Sequence, residues 1–230
     1  MKTIGMIGGL SWESTANYYR DINQGVKAKL GGLHSARIVL NSVDFAEIEV
    51  LQHKGQWQEA GDILAHSASS VEKGGADFLV LCTNTMHKVS DQIQSAIEIP
   101  FLHIADATAQ VLVKQGVTKV GLLGTRFTME DTFYKGRLES DYQIAVETPD
   151  APDRDLIHRV IYEELCQGVI SDTSRQAFLK VIDKLAGQGV QGVILGCTEI
   201  AMLVSSRDTD VPLYDTARIH TDAAVAMALA

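Results

Sequence analysis

The chain has 230 residues, 46% of them apolar and 21% charged, with a formal net charge of −9. That length suits one large domain or two of about 100 residues each, and no apolar run reaches the roughly 20 residues that span a bilayer. The acidic balance and the lack of any Lys/Arg run exclude a nucleic-acid surface and a basic membrane-binding helix. The opening residues carry no apolar signal core, so a cytoplasmic protein is expected. The three cysteines, Cys82, Cys166 and Cys197, form no CxxC pair, and the seven histidines show no HExxH spacing. Neither a disulfide framework nor a zinc site is expected from these counts.

Short apolar runs alternate with longer amphipathic stretches. In chain order the pattern predicts a strand over Thr3–Gly8, a helix over Trp12–Lys29, a strand over Arg37–Val43 and a helix over Gln56–Lys73. A strand over Phe78–Cys82, a helix over Asn84–Ala96, a short strand over Phe101–His103 and a helix over Asp106–Lys114 follow. The remainder reads as strand Val117–Leu123, helix Met129–Glu139, strand Tyr142–Val146 and helices Asp153–Gln167 and Asp172–Gly187. It ends with strands Val190–Leu195 and Pro212–Tyr214 and helix Asp215–Leu229. The strands are rich in Val, Ile and Leu and often bounded by Gly or Pro, and many helices open with Ser, Thr, Asp or Asn caps. Near-continuous apolar strands separated by helices indicate mostly parallel sheets covered on both faces.

An internal repeat divides the chain. Ile4-Gly5-Met6-Ile7-Gly8-Gly9 matches Val120-Gly121-Leu122-Leu123-Gly124-Thr125. The Phe78–Asn84 segment parallels Gly192–Thr198, and Pro100-Phe101-Leu102 parallels Pro212-Leu213-Tyr214. The offsets are 116, 114 and 112 residues. Strand-then-glycine patterns recur in any α/β chain, but three ordered matches at a nearly constant offset point to two similar halves of about four strands each. In such duplicated proteins the matching sites face one cleft, where small-molecule pockets prefer to lie.

Two segments carry candidate chemistry. Leu81-Cys82-Thr83-Asn84-Thr85-Met86-His87 and Leu195-Gly196-Cys197-Thr198-Glu199-Ile200 each follow an apolar strand and precede a helix. Helix N-termini bind anions and lower thiol pKa values, so Cys197 is placed to ionise; a buried, inert cysteine is the other reading of the same position. Thr85 and Thr198 are candidate ligands for a carboxylate. Glu199 and His87 are within reach to orient or charge a thiol or hydroxyl, or serve only as caps. The Gly8-Gly9-Leu10-Ser11-Trp12-Glu13-Ser14 turn lacks GxGxxG and the Walker lysine, which speaks against nucleotide binding. Its glycines would let backbone come close to a small ligand. Gln52 and Thr125, the latter beside Gly124, are weaker candidates.

These motifs resemble the aspartate/glutamate racemase family. The resemblance covers essentially the whole chain and rests on the glycine-rich opening, on Asn84-Thr85-Met86-His87 and on Gly196-Cys197-Thr198-Glu199. It is strongest with the family's enterobacterial branch specific for the L-enantiomers of aspartate and glutamate. The resemblance implies two pseudosymmetric Rossmann-like α/β domains, each a mostly parallel four-stranded sheet flanked by helices. The C-terminal helix would return to the first domain and the active site would lie in the cleft between the domains. The expected boundaries are 1–100 plus 213–230 for the first domain and 101–212 for the second. The resemblance also implies no cofactor and no metal, a homodimer, and two cysteines flanking the substrate α-carbon. One removes the α-proton, and the other returns a proton on the opposite face.

This chain departs from that pattern at one position. Thr83 stands where the family has its first cysteine, and Cys82 lies one residue earlier, where a strand side chain points to the other face. An alcohol can donate a proton to a carbanion but is a poor base. No Lys or Arg lies within the motifs. The resulting expectation is a racemase of L-aspartate and L-glutamate with Cys197 as base and Thr83 as the opposing hydroxyl. Leu10, Ser11, Gln52, Asn84, Thr85, Thr125, Thr198 and Glu199 would hold the substrate. The family's second-half cysteine handles the L-enantiomer, so the pair should favour that hand. The alternatives are a related cysteine isomerase or decarboxylase, maleate isomerase-like, and a non-catalytic binder of dicarboxylates.

Overall fold

Val, Ile and Leu dominate the inner strands because both faces of each sheet are covered by helices, and a computed structural model of the full chain, residues 1–230, shows how they are arranged. The chain divides into two compact units, one comprising residues 1–104 with 220–230 and the other residues 105–219. The first contains strands β1 (Thr3–Gly8), β2 (Arg37–Ser42), β3 (Phe78–Leu81) and β4 (Phe101–Leu102), all parallel, in the order β2-β1-β3-β4. Its helices are α1 (Trp12–Leu30), α2 (Phe45–His53), α3 (Trp57–Lys73) and α4 (Ser90–Ser95). Ile4, Met6 and Ile7 of β1 are fully buried, and each such side chain contributes roughly 1.5–3 kcal/mol of burial.

The chain leaves this unit at the start of α5 (Ile104–Lys114). In the second unit β5 (Lys119–Gly124), β6 (Ala145–Glu147), β7 (Val193–Gly196) and β8 (Leu213–Asp215) form a second parallel sheet, ordered β6-β5-β7-β8. Helices α6 (Arg126–Glu130), α7 (Thr132–Tyr142), α8 (Ala151–Glu163), α9 (Asp172–Gly187) and α10 (Ile200–Leu203) accompany it, and α11 (Thr216–Leu229) carries the chain back to the first unit. The two sheets repeat one topology, strand for strand. Register confirms the repeat in detail: Ile7 pairs with Leu81, and the corresponding Leu123 pairs with Leu195. This is the expected α/β class, with two four-stranded sheets. No helix is long and apolar enough to cross a membrane.

The units part at Ile104 and Ile219, later than the boundaries expected at 100 and 212. The reason lies in pairing: β4 completes the first sheet on β3, and β8 completes the second on β7. Several helices also differ from their sequence pattern. The segment holding Gln52 forms α2, started by an Asp44 cap that accepts the Ala46 N–H at 3.1 Å. The stretch expected as one helix over Asn84–Ala96 begins as a 3-10 turn, Thr85–Val89, before α4. The Met129–Glu139 stretch divides where Asp131 adopts extended backbone and opens α7.

Candidate active site

Adjacent parallel strands bring their carboxyl ends together, and this builds one cluster in each unit. In the first, the turn after β1 lies beside the turn after β3, because Ile7 pairs with Leu81 and the Cys82 N–H donates to the Ile7 carbonyl at 2.9 Å. Gly9 has φ +88°, and a Cβ there would strike the Val43 backbone. Only glycine makes this turn without strain. Ser11 caps the 19-residue α1 by accepting the Ser14 N–H at 3.2 Å, and Thr15 Oγ1 accepts the Gly9 N–H at 2.9 Å. Asn84 and Thr85 are buried in the neighbouring turn, whereas Thr83 is half-buried. Gln52 reaches the same region from α2, its amide donating to Met86 Sδ at 2.9 Å.

Two residues of this cluster depart from a simple ligand role. Leu10 packs its side chain into the apolar core of the first unit, so only its backbone remains in the turn as a possible contact. Ser14, on the first turn of α1, has a buried Oγ with no hydrogen-bond partner. It stood in the Gly8–Ser14 turn in the sequence, but nothing in the pattern distinguished it from a surface serine. Cys82 is fully buried, and burial pushes its thiol well above the ordinary range, so it stays protonated.

In the second unit Gly124 pairs with Gly196, and a Cβ on Gly196 would lie 2.8 Å from the Leu123 carbonyl oxygen. Two glycines therefore let the strand ends that carry Thr125 and Cys197 approach closely. Thr125 caps α6, accepting the Thr128 N–H at 3.3 Å. The neighbouring Arg126 is held outward by Asp155 at 2.6 Å, and its backbone N–H donates to His158 Nδ1 at 3.2 Å. Cys197 is 8% exposed. Its thiol donates to Glu199 Oε2 at 2.9 Å, and Thr198 Oγ1 donates to the same oxygen at 2.8 Å.

That geometry corrects one expectation. A helix N-terminus lowers a thiol pKa, but the helix that follows Cys197, α10, has only four residues. Burial instead pushes the thiol well up, and the Glu199 carboxylate and the Cys166 thiol push it further. Cys197 is therefore a protonated thiol whose proton already points at a carboxylate. The sequence placed Glu199 within reach of Cys197; that its side chain turns back over the thiol depends on backbone geometry that no motif encodes.

Comparison with known proteins adds the family. The model of the Asp/Glu/hydantoin racemase family matches residues 7–224. A Yersinia pestis protein described as a candidate Asp/Glu racemase is 59% identical over the whole of both chains, with a TM-score of 0.94. An aspartate racemase homologue from Pyrococcus horikoshii is 32% identical over both whole chains, with a TM-score of 0.87. The broad-specificity amino-acid racemase RacX of Bacillus subtilis is 24% identical over 170 residues, 71% of this chain and 70% of RacX. With nearly its whole length matched by the family model, and with both sheets repeating the topology described above, the chain belongs to the Asp/Glu/hydantoin racemase family.

Proposed function

We propose that this protein is a cofactor-independent racemase of acidic amino acids, with Cys197 as the base and Thr83 as the opposing acid. The observation that carries the reading is a positional equivalence. Thr83 and Cys197 each lie two residues beyond the leucine, Leu81 or Leu195, that pairs with the central strand of its own sheet. Duplication therefore gives the reaction two equivalent positions, one bearing a hydroxyl and the other a thiol.

The chemistry follows from the hydrogen bonds. The Cys197 proton passes to Glu199 Oε2 along the existing 2.9 Å contact. The thiolate then takes the α-proton, and the electrons of the Cα–H bond are left on a carbanion. Thr83 supplies a proton on the other face, Glu199 releases its proton to solvent, and Thr83 regains one from solvent, which restores the resting state. Ser11, Asn84, Thr85, Thr125 and Thr198, with Gln52, would hold the substrate's polar groups, and the N-terminus of α1 suits a carboxylate. Ser14 Oγ joins this set because burial leaves it a donor and acceptor to satisfy.

Because an alcohol is a poor base, the Cys197 face should react faster. The two enantiomers have equal free energies, so the forward and reverse values of kcat/KM must be equal. The bias must therefore appear as exchange with retention: L-aspartate or L-glutamate incorporates deuterium from heavy water faster than it inverts, and the D-form exchanges more slowly. Proton NMR with chiral chromatography measures both quantities. Equal exchange of both hands would sink the asymmetric mechanism, and exchange surviving Cys197→Ala would sink the whole assignment.

A homodimer and a cytoplasmic site belong to the same reading. An exposed face with Trp12, Tyr19 and Leu40 flanks the unpaired edge of β2, and apolar surface of this kind favours a second copy. Sedimentation equilibrium tests it, and a monomer at working concentration would refute it. The three free thiols suit a reducing compartment.

A further inference from the structure

Three of the seven histidines, His87, His103 and His220, are buried together in the first unit, beside the Thr83 turn. The proton transfers proposed above use none of them. The His87 ring stacks on Phe101, with centroids 5.4 Å apart and planes at 14°, and meets the edges of His103 at 4.5 Å and His220 at 5.9 Å. Its two nitrogens have opposite partners. Nδ1 lies 2.7 Å from the Thr83 carbonyl oxygen, which can only accept, so Nδ1 carries the proton. Nε2 accepts the Ile104 N–H at 3.2 Å, so it carries none. The ring is thus held neutral in one tautomer, with the Thr83 backbone at one end and Ile104 at the other.

His220 is fixed in the same manner. Its Nε2–H donates to the Leu102 carbonyl at 2.8 Å, and Nδ1 accepts from the Tyr18 hydroxyl at 3.0 Å. Ile104 and His220 are also the residues of the first unit at which the chain leaves for the second unit and returns from it. The two imidazoles therefore anchor both of these segment ends to the strand β4 that borders β3, and one of them continues to Thr83.

From this arrangement we infer that His87 is a positioning residue for Thr83, fixing the Thr83 carbonyl and through it the direction of the hydroxyl. The peptide that follows Thr83 is planar, so pinning its carbonyl removes one rotation from the residue that bears the hydroxyl. The neutral tautomer matters because a protonated ring could not accept from Ile104 and would be released from that end. His87 does not touch the reacting atoms; it acts through Thr83. The inference rests on the racemase reading and deepens it.

The test separates the two faces of the substrate. Deuterium exchange into L-aspartate with retention requires only Cys197, whereas inversion also requires Thr83. His87→Gln keeps an acceptor for Ile104 but loses the donor to Thr83; His87→Asn keeps a donor at the Nδ1 position. In His87→Gln, inversion should fall roughly 10- to 100-fold, the scale of a misplaced reacting group, while exchange with retention stays within about twofold. In His87→Asn, inversion should recover most of that loss. Equal losses of exchange and inversion in His87→Gln, or no advantage of Asn over Gln, would overturn the inference. If the Gln variant does not fold, long-range proton–nitrogen NMR of the unmodified protein decides: the Nδ1–H tautomer at His87 supports the positioning role, and the Nε2–H tautomer refutes it. Failure of the racemase reading has a different signature, since wild-type protein would then exchange neither enantiomer.

Discussion

Cys197 has an unfavourable neighbour for a thiolate and a favourable one for losing a proton, and both are Glu199. The carboxylate raises the thiol pKa by its charge, on top of burial; it also accepts the thiol proton. The sign of the pH dependence follows. A raised pKa keeps the thiol protonated at neutral pH, so alkylation of Cys197 by iodoacetamide should accelerate steadily as pH rises through the alkaline range. A plateau reached below the ordinary thiol pKa of about 8.5 would contradict this. Glu199→Gln removes the acceptor, and exchange of the L-enantiomer at neutral pH should fall about 10²-fold, typical of a lost general base. The same substitution removes a negative charge, so alkylation of Cys197 should begin at lower pH. Opposite movements of catalysis and alkylation are the outcome to look for; a parallel loss would mean that Glu199 only supports the fold. The identities of Cys197 and Glu199 were legible in the Gly-Cys-Thr-Glu run. The direction of the pKa was not, because it depends on burial and on a side chain folding back over two residues.

Among the elements, legibility followed the strength of the local pattern. The first strand is found at Thr3–Gly8, as the apolar run and its closing glycines require. Helix α2 gives little signal in the sequence because its nine residues carry only a weak apolar stripe, and Asp44 reads equally well as a turn residue. Its cap now makes a prediction: Asp44→Ala should cost about 1 kcal/mol in urea unfolding and loosen Gln52 on the same helix. The histidine cluster was invisible for another reason. His220 lies 117 residues beyond His103, and parallel pairing and the returning α11 bring it to His87 and His103. Burial lowers the His220 pKa from its ordinary 6.5 to about 4. The charged form is therefore disfavoured in the folded state, and its contribution is complete above the unfolded value of 6.5. It is lost as pH falls from 6.5 toward 4, a change of roughly 3 kcal/mol. Unfolding of the wild-type protein between those pH values should be steeper in pH than that of His220→Asn. Identical slopes would show that His220 is not held neutral by the fold.

At the scale of the whole molecule, duplication gives the proposed reaction two equivalent positions, of which only one bears a thiol. The paired registers Ile7–Leu81 and Leu123–Leu195 fix where each strand ends, and therefore where Thr83 and Cys197 begin their turns. A substitution at Thr83 tests this equivalence directly. In Thr83→Cys the second position gains a group that can act as base as well as acid. Unlike Cys197, it has no carboxylate in the corresponding place: the residue two positions on is Thr85, not glutamate. The new thiol would thus avoid the charge that raises Cys197, though it would lack an immediate proton acceptor. Exchange of D-aspartate should rise by about 10²-fold, the scale of adding a competent general base. Inversion should rise in both directions together, since the equilibrium between enantiomers cannot move. Exchange of L-aspartate on the Cys197 face should stay near its wild-type rate. If D-exchange did not increase in a folded Thr83→Cys protein that reacts normally with thiol reagents at position 83, then Thr83 would not face the α-carbon. The duplicated position would then be a relic of ancestry with no part in the reaction.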